Sequence, residues 1–174
     1  MKKEIVSQKK KKEVVNFEFV DLGLSVKWAN MNVGSSKKEE FGRYFSCNEV
    51  MGEEEVDWVE YCNDVDVDMI GGSKMPSEEE IDELLNQCKW EWKEVNGVKG
   101  YKVSSKVNRN WIFLPAGGCM NGDGEVIVGF GGYYLSGTKS NGKLKGLIEI
   151  VFNKSKKGKD LAGPQYKRLI RLVK

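Results

Sequence analysis

Histidine is absent from this 174-residue chain. That removes histidine general bases, Ser-His-Asp triads, histidine-ligated zinc and histidine pH switches. The four cysteines, Cys47, Cys62, Cys88 and Cys119, contain no C-x-x-C step, so neither a zinc knuckle nor a dithiol redox motif is written. Scattered thiols of this kind read as small apolar residues, while their even number would allow two disulfides in an oxidising compartment. Proline is scarce, with 3 residues, whereas glycine is plentiful, with 20. Frequent glycine implies many turns and therefore many short strands. Long apolar runs are lacking too. Nothing approaches the ~20 residues of a membrane-spanning helix, and no apolar stretch follows the basic start as a secretory signal requires. The expectation is a chain that stays in the cytoplasm where it is made, or reaches a surface as part of a particle such as a virion or by a route independent of a signal.

The net charge is only +2, yet the charges are segregated. Six lysines fall in the first thirteen residues, including Lys9, Lys10, Lys11 and Lys12. Nine acids and no base occupy Glu49 to Asp68, and eleven bases face only Glu149 and Asp160 from Lys139 onward. Blocks like these mark solvated tails and loops, or complementary ends of neighbouring subunits. Residues 1–15 read as a flexible basic arm and 16–174 as one domain. The lysine cluster is the candidate assembly element. Nucleic acid is disfavoured as a partner by the acidic middle and by the lack of a reading motif.

Strands are expected at Phe17–Val20 and Val26–Ala29, and a short helix over Lys37–Tyr44 with Ser35 or Ser36 as its cap. Pro76 and Ser77 open a second helix. Ser77 and Glu80 form a capping-box pair, and Ile81, Leu84, Leu85 and Cys88 follow the i, i+3, i+4, i+7 spacing of a buried stripe. Asn96-Gly97 signals a hairpin between Trp90–Val95 and a return strand from Gly100. Trp111–Leu114 reads as a central strand, residues 117–132 as a glycine-rich loop region, and Tyr133–Ser136, Leu147–Phe152 and Lys167–Val173 as the last strands. Leu169 and Leu172 fall on opposite faces of that last segment, so it should be buried on both sides. The resulting class is α+β: two short helices packed on a twisted antiparallel sheet with long irregular loops.

Asp21-Leu22-Gly23-Leu24, Lys27-Trp28-Ala29, Asn32-Val33-Gly34, Glu39-Glu40-Phe41-Gly42, Met75-Pro76-Ser77, Ile112-Phe113-Leu114-Pro115-Ala116-Gly117, Gly132-Tyr133-Tyr134 and Arg168 to Val173 follow one another in an order that resembles the Fibrobacter succinogenes major paralogous domain family. The resemblance spans roughly residues 17–173 and implies a C-type-lectin-like fold. Met31 stands where that family usually has cysteine, and Cys47 where it often has tryptophan. The resemblance also implies a loop face available to ligands. Formylglycine-generating enzymes share the broader fold, but their chemistry relies on a paired-cysteine site, and no such pair is evident.

Candidate ligand residues follow from side-chain chemistry. Asn121, Asp123 and Glu125 offer an amide and two carboxylates to a hard cation or a sugar, although calcium wants ~6–8 oxygens and the same residue types dominate ordinary turns. Trp58, set among acids, is the candidate exposed anchor. Trp111 and Tyr133 are the further aromatic candidates, with burial in the core as the competing assignment. Together these features lead to an expectation of a non-catalytic binding, adhesion or display module for glycan or protein, without cofactor or metal. The alternative is a structural virion component that assembles through the basic arm and charged blocks.

Overall fold

The structure is a computed structural model and describes residues 15–51, 56–62 and 67–174. Lys9, Lys10, Lys11 and Lys12 lie outside the described residues. A two-strand ribbon comes first, β1 (Phe19–Val20) antiparallel to β2 (Trp28–Ala29). Three short helices follow, α1 (Cys47–Met51), α2 (Trp58–Tyr61) and α3 (Val67–Ile70), and then the longer α4 (Glu78–Gln87). The strands β3 (Cys88–Val95), β4 (Val98–Ser105) and β5 (Trp111–Pro115) form one antiparallel sheet in that order. A second sheet has β6 (Gly131–Lys139), β7 (Leu147–Asn153) and β8 (Lys157–Ala162), again in order. The architecture is α+β, with all three small sheets antiparallel. Among the described residues no helix is long and apolar enough to cross a membrane.

Local chemistry explains the elements. Ser77 accepts from the Glu80 amide, and the Glu80 side chain accepts from the Ser77 amide, so the capping box closes as written. The buried face of α4 is Ile81, Leu84 and Leu85, and Cys88 continues it into β3. Lys159 on β8 pins the exposed face through Glu78 and Asp82, at 2.7 and 2.8 Å. A register shift between Leu135 and Lys139 brings the 136–138 stretch of β6 to the start of α4, where Thr138 Oγ1 accepts from the Glu78 amide. Asn96 and Gly97 join β3 to β4 with φ of 49° and 80°. Positive φ at both positions is what a type I′ hairpin requires.

Residues 37–44 form no helix. Glu40 closes a single turn by accepting from the Ser36 amide and hydroxyl and from the Lys37 amide. Propagation stops because Gly42 takes φ of 73° against the Val33 carbonyl, where a Cβ would collide, and because Arg43 donates to Val33 instead of to the preceding turn. The early helices are the short α1, α2 and α3. Trp111–Pro115 is an edge strand, not a central one, because among the described residues β5 pairs only with β4. It is still buried beyond Trp111, since other segments cover its open side.

The segment 167–174 forms no regular ladder, but it ties the elements together. It bridges Phe45, Met120, Tyr134, Trp28 and Lys74 in turn. The amides of Ala29 and Val33 donate to the carbonyls of Leu172 and Ile170. Arg168 to Val173 are all buried. Leu169 and Val173 enter the core cluster of Trp28, Leu84 and Tyr101, whereas Ile170 and Leu172 enter that of Phe45, Trp58 and Leu135. The alternation is the period of two of an extended chain. Each such apolar side chain contributes on the order of 1.5–3 kcal/mol through burial.

A cation is buried in the middle of this segment. Arg171 donates from Nε to Asn32 Oδ1 (2.9 Å) and from its two terminal nitrogens to the carbonyls of Ala29 (2.9 Å) and Phe113 (2.8 Å). Beside it Tyr134 donates to the Pro115 carbonyl. Burial pulls Arg171 down to about 10 and pushes Tyr134 up to about 12, so the guanidinium stays charged and the phenol neutral at ordinary pH. Arg171→Met removes three donors and leaves three acceptors bare. Its expected effect is a loss of at least ~3 kcal/mol in urea unfolding, against ~1 kcal/mol for Ser77→Ala, which removes only a helix cap. Equal losses from the two would show that the guanidinium does not hold the segments together.

Candidate functional site

Trp111 stands at the start of β5 and is 36% exposed. The loop before it is held by asparagine and serine side chains. Ser105 Oγ accepts from the amides of Val107 and Asn108, Asn108 Oδ1 accepts from the Asn110 amide, and the side-chain amides of Asn108 and Asn110 both donate to the Asp21 carbonyl at 2.9 Å. Arg109, at the tip, adopts φ of 66°, a conformation few non-glycine residues take. Across from it Asn30 clamps the first ribbon, donating to the Asn16 carbonyl and accepting from the Glu18 amide. A groove of about 420 Å³ runs between them, and its walls include Asn16, Glu18, Lys38, Arg109, Asn110 and Trp111.

Two ammonium groups lie over the Trp111 ring, Lys38 at 4.5 Å and Lys102 at 4.9 Å from its centroid. Lys38 is presented by the Glu40-closed turn, in which the Ser36 amide hydrogen bond chiefly holds the Glu40 carboxylate below its ordinary range. Trp111 was legible as a candidate. Lys38, Lys102 and Arg109 were not, because Lys38 comes from a distant turn and the other two from a strand and a loop of the β4–β5 hairpin with no shared spacing.

The other candidates do not join this groove. Trp58 is buried, at 5% exposure, and is no surface anchor. Asp57 caps α2 by accepting from the Val59 amide, and the helix turns the indole inward against Phe45 and Tyr61 at 6.0 and 6.2 Å. Its edge instead lines a broad cavity of about 880 Å³ with Met51, Val56, Lys74, Met75 and Lys139. Asn121, Asp123 and Glu125 form the tip of a hairpin closed by the Met120–Val126 bridge. Asn121 Oδ1 accepts from the amides of Asp123 and Glu125, and Nδ2 donates to Glu125 Oε2. The amide oxygen proposed as a ligand is therefore engaged in its own turn. Just beyond it Ile127, Val128 and Phe130 expose their side chains, Phe130 by 75%. Tyr133 is half-buried, with the Arg168 guanidinium 5.9 Å from its ring centroid, and burial raises its phenol.

Among the described residues no group of three or more Cys, Asp or Glu could hold a metal ion. All four thiols are free. Cys47, Cys62 and Cys88 are buried and desolvation raises each thiol, whereas Cys119 is partly exposed beside Tyr133. The phenol of Tyr44, which donates to the Gly117 carbonyl, is pushed up to about 12, first by burial and then by Tyr134 and Cys119. The buried pair Arg168–Glu149 closes at 2.8 Å. Burial outweighs the guanidinium and lifts the Glu149 carboxyl above its ordinary range.

No family model, curated protein or solved structure matches the chain.

The thiols give a direct check of this geometry. A raised thiol pKa lowers the thiolate fraction, and burial blocks access. In native protein at pH 8, a disulfide reagent such as 5,5′-dithiobis(2-nitrobenzoate) should titrate Cys119 alone. All four cysteines should react in denaturant, and Cys119→Ser should abolish the native signal.

Proposed function

We propose that this chain is a C-type-lectin-like binding or display module that holds a glycan or protein partner at the groove around Trp111 and works without catalysis. The observation carrying this reading is the half-exposed indole on a loop fixed by five side-chain hydrogen bonds, with neighbouring polar groups left unpaired. Recognition residues are commonly loop residues positioned by a rigid scaffold, and rigid aromatic anchors dominate binding energy. The lectin-like assignment is supported by the meeting of the first ribbon and the 167–174 segment through hydrogen bonds between Lys27 and Lys174, and by the motif order that led to it.

A second reading is a structural component of a virion or surface assembly. The exposed apolar tip of Ile127, Val128 and Phe130 favours it, since clustered exposed apolar side chains mark contact surfaces. Light scattering separates the two: the binding reading expects a monomer in solution, the assembly reading a defined oligomer.

The test of the principal reading is Trp111→Ala on a combined glycan and peptide array. The expected result is loss of about 2 kcal/mol of binding, roughly thirty-fold, with stability changed by no more than ~1 kcal/mol because the side chain is half-exposed. Retention of every ligand by Trp111→Ala would exclude the groove as the binding surface.

A further inference from the structure

We infer that the Trp111 groove selects an anionic saccharide, one carrying carboxylate or sulfate groups; this rests on the groove being the binding surface. Three cations converge there, Lys38 and Lys102 over the indole and Arg109 in the wall. No described carboxylate forms an ion pair with any of them. Both ammonium groups lie within 5 Å of one ring centroid, so they are separated by less than ~10 Å, about one Debye length at ~0.1 M salt, and repel one another. Cation–π contacts at an exposed ring offset that repulsion by only ~0.5–1 kcal/mol each. An anion between them would relieve it, and Arg109 adds a planar fork suited to carboxylate or sulfate. Glu18 is the one acid in the wall, so the groove keeps a surplus of positive charge.

The remaining chemistry favours a sugar over an acidic peptide. The Glu18 carboxylate, the Asn16 side-chain amide and Asn110 Oδ1 line the groove without partners among the described residues. Carboxylates and amides are the acceptors and donors that hydroxyl groups need, and a saccharide presents several hydroxyls for each charge whereas an acidic peptide presents none on its side chains. The exposed part of the indole supplies apolar surface beside the two ammonium groups. The volume of about 420 Å³ falls in the lower part of the ~300–1,000 Å³ range of small-ligand sites. Arg109 holds its place at positive φ, at a cost of roughly 1–2 kcal/mol relative to a relaxed backbone, and the two asparagine clamps that impose it aim the loop at the groove.

The test uses calorimetric titration of the full chain with oligogalacturonate, hyaluronan and heparin fragments. Methyl-esterified oligogalacturonate and a cello-oligosaccharide serve as neutral controls, and oligoglutamate and single-stranded DNA as anions that are not sugars of this class. A combined Lys38→Gln, Lys102→Gln, Arg109→Asn variant removes the charge, with asparagine chosen because it tolerates positive φ. The expected result is binding of at least one anionic saccharide, weakened at least ten-fold both by raising salt from 0.05 to about 0.5 M and by the triple variant, with an unchanged melting curve. Equal binding of the neutral controls, lost in Trp111→Ala but not in the triple variant, would overturn the charge selection and leave the groove reading standing. Equal or tighter binding of oligoglutamate or DNA would overturn the saccharide assignment. Silence towards every probe would overturn the anionic-saccharide assignment, and the array comparison of Trp111→Ala would then decide the groove reading by itself.

Discussion

One buried guanidinium holds the segments of this structure in place. Arg171 meets the carbonyls of Ala29 and Phe113 and the side chain of Asn32, so it joins the first ribbon, the last strand of the first sheet and the loop after Ala29 at one point. Its partners are neutral oxygens, so the arrangement is tolerable only because each of the three nitrogens has an acceptor and the phenol of Tyr134 lies alongside. An apolar residue there would fill space without choosing a register. The cation fixes which carbonyls must face inward, and with them the alternation of Leu169, Ile170, Leu172 and Val173 between two core clusters.

That constraint explains why the fold was only partly legible. The Ser77–Glu80 box, the Ile81-Leu84-Leu85 stripe and the Asn96-Gly97 turn are local signals, and each formed where it was read. The two-sided burial of the final segment was also readable from its alternation. Residues 37–44 carried the pattern of a helix, but Gly42 and the Val33 carbonyl compete for the same backbone, a conflict visible only once the two segments meet. The strand β8, lysine-rich and exposed, has no apolar alternation to betray it. It exists because β7 offers an edge and α4 offers Glu78 and Asp82 to Lys159.

The candidate site divides the same way. Trp111 could be named because an exposed tryptophan is chemically conspicuous. Trp58 was misread because a run of acids suggested solvent, whereas Asp57 uses its carboxylate to start a helix that hides the ring. Asn121 looked like a ligand and is a turn former. Lys38 reaches the Trp111 ring from more than sixty residues upstream, and Lys102 and Arg109 join it only once the β4–β5 hairpin closes. The groove therefore depends on the frame: the turn closed by Glu40 and the loop hung from the Asp21 carbonyl both rest on segments that the final residues hold in place.

The position of residues 167–174 also bears on how the chain is made. They are translated after every strand and helix they bridge, yet both core clusters lack a wall until they arrive. Hairpins such as β3–β4 can form as they leave the ribosome, but the two cores cannot close until Arg171 and its neighbours have emerged as well. A nascent chain that has not yet reached this segment would therefore keep apolar surface open to chaperones and proteases, so closure of both cores waits on one short stretch.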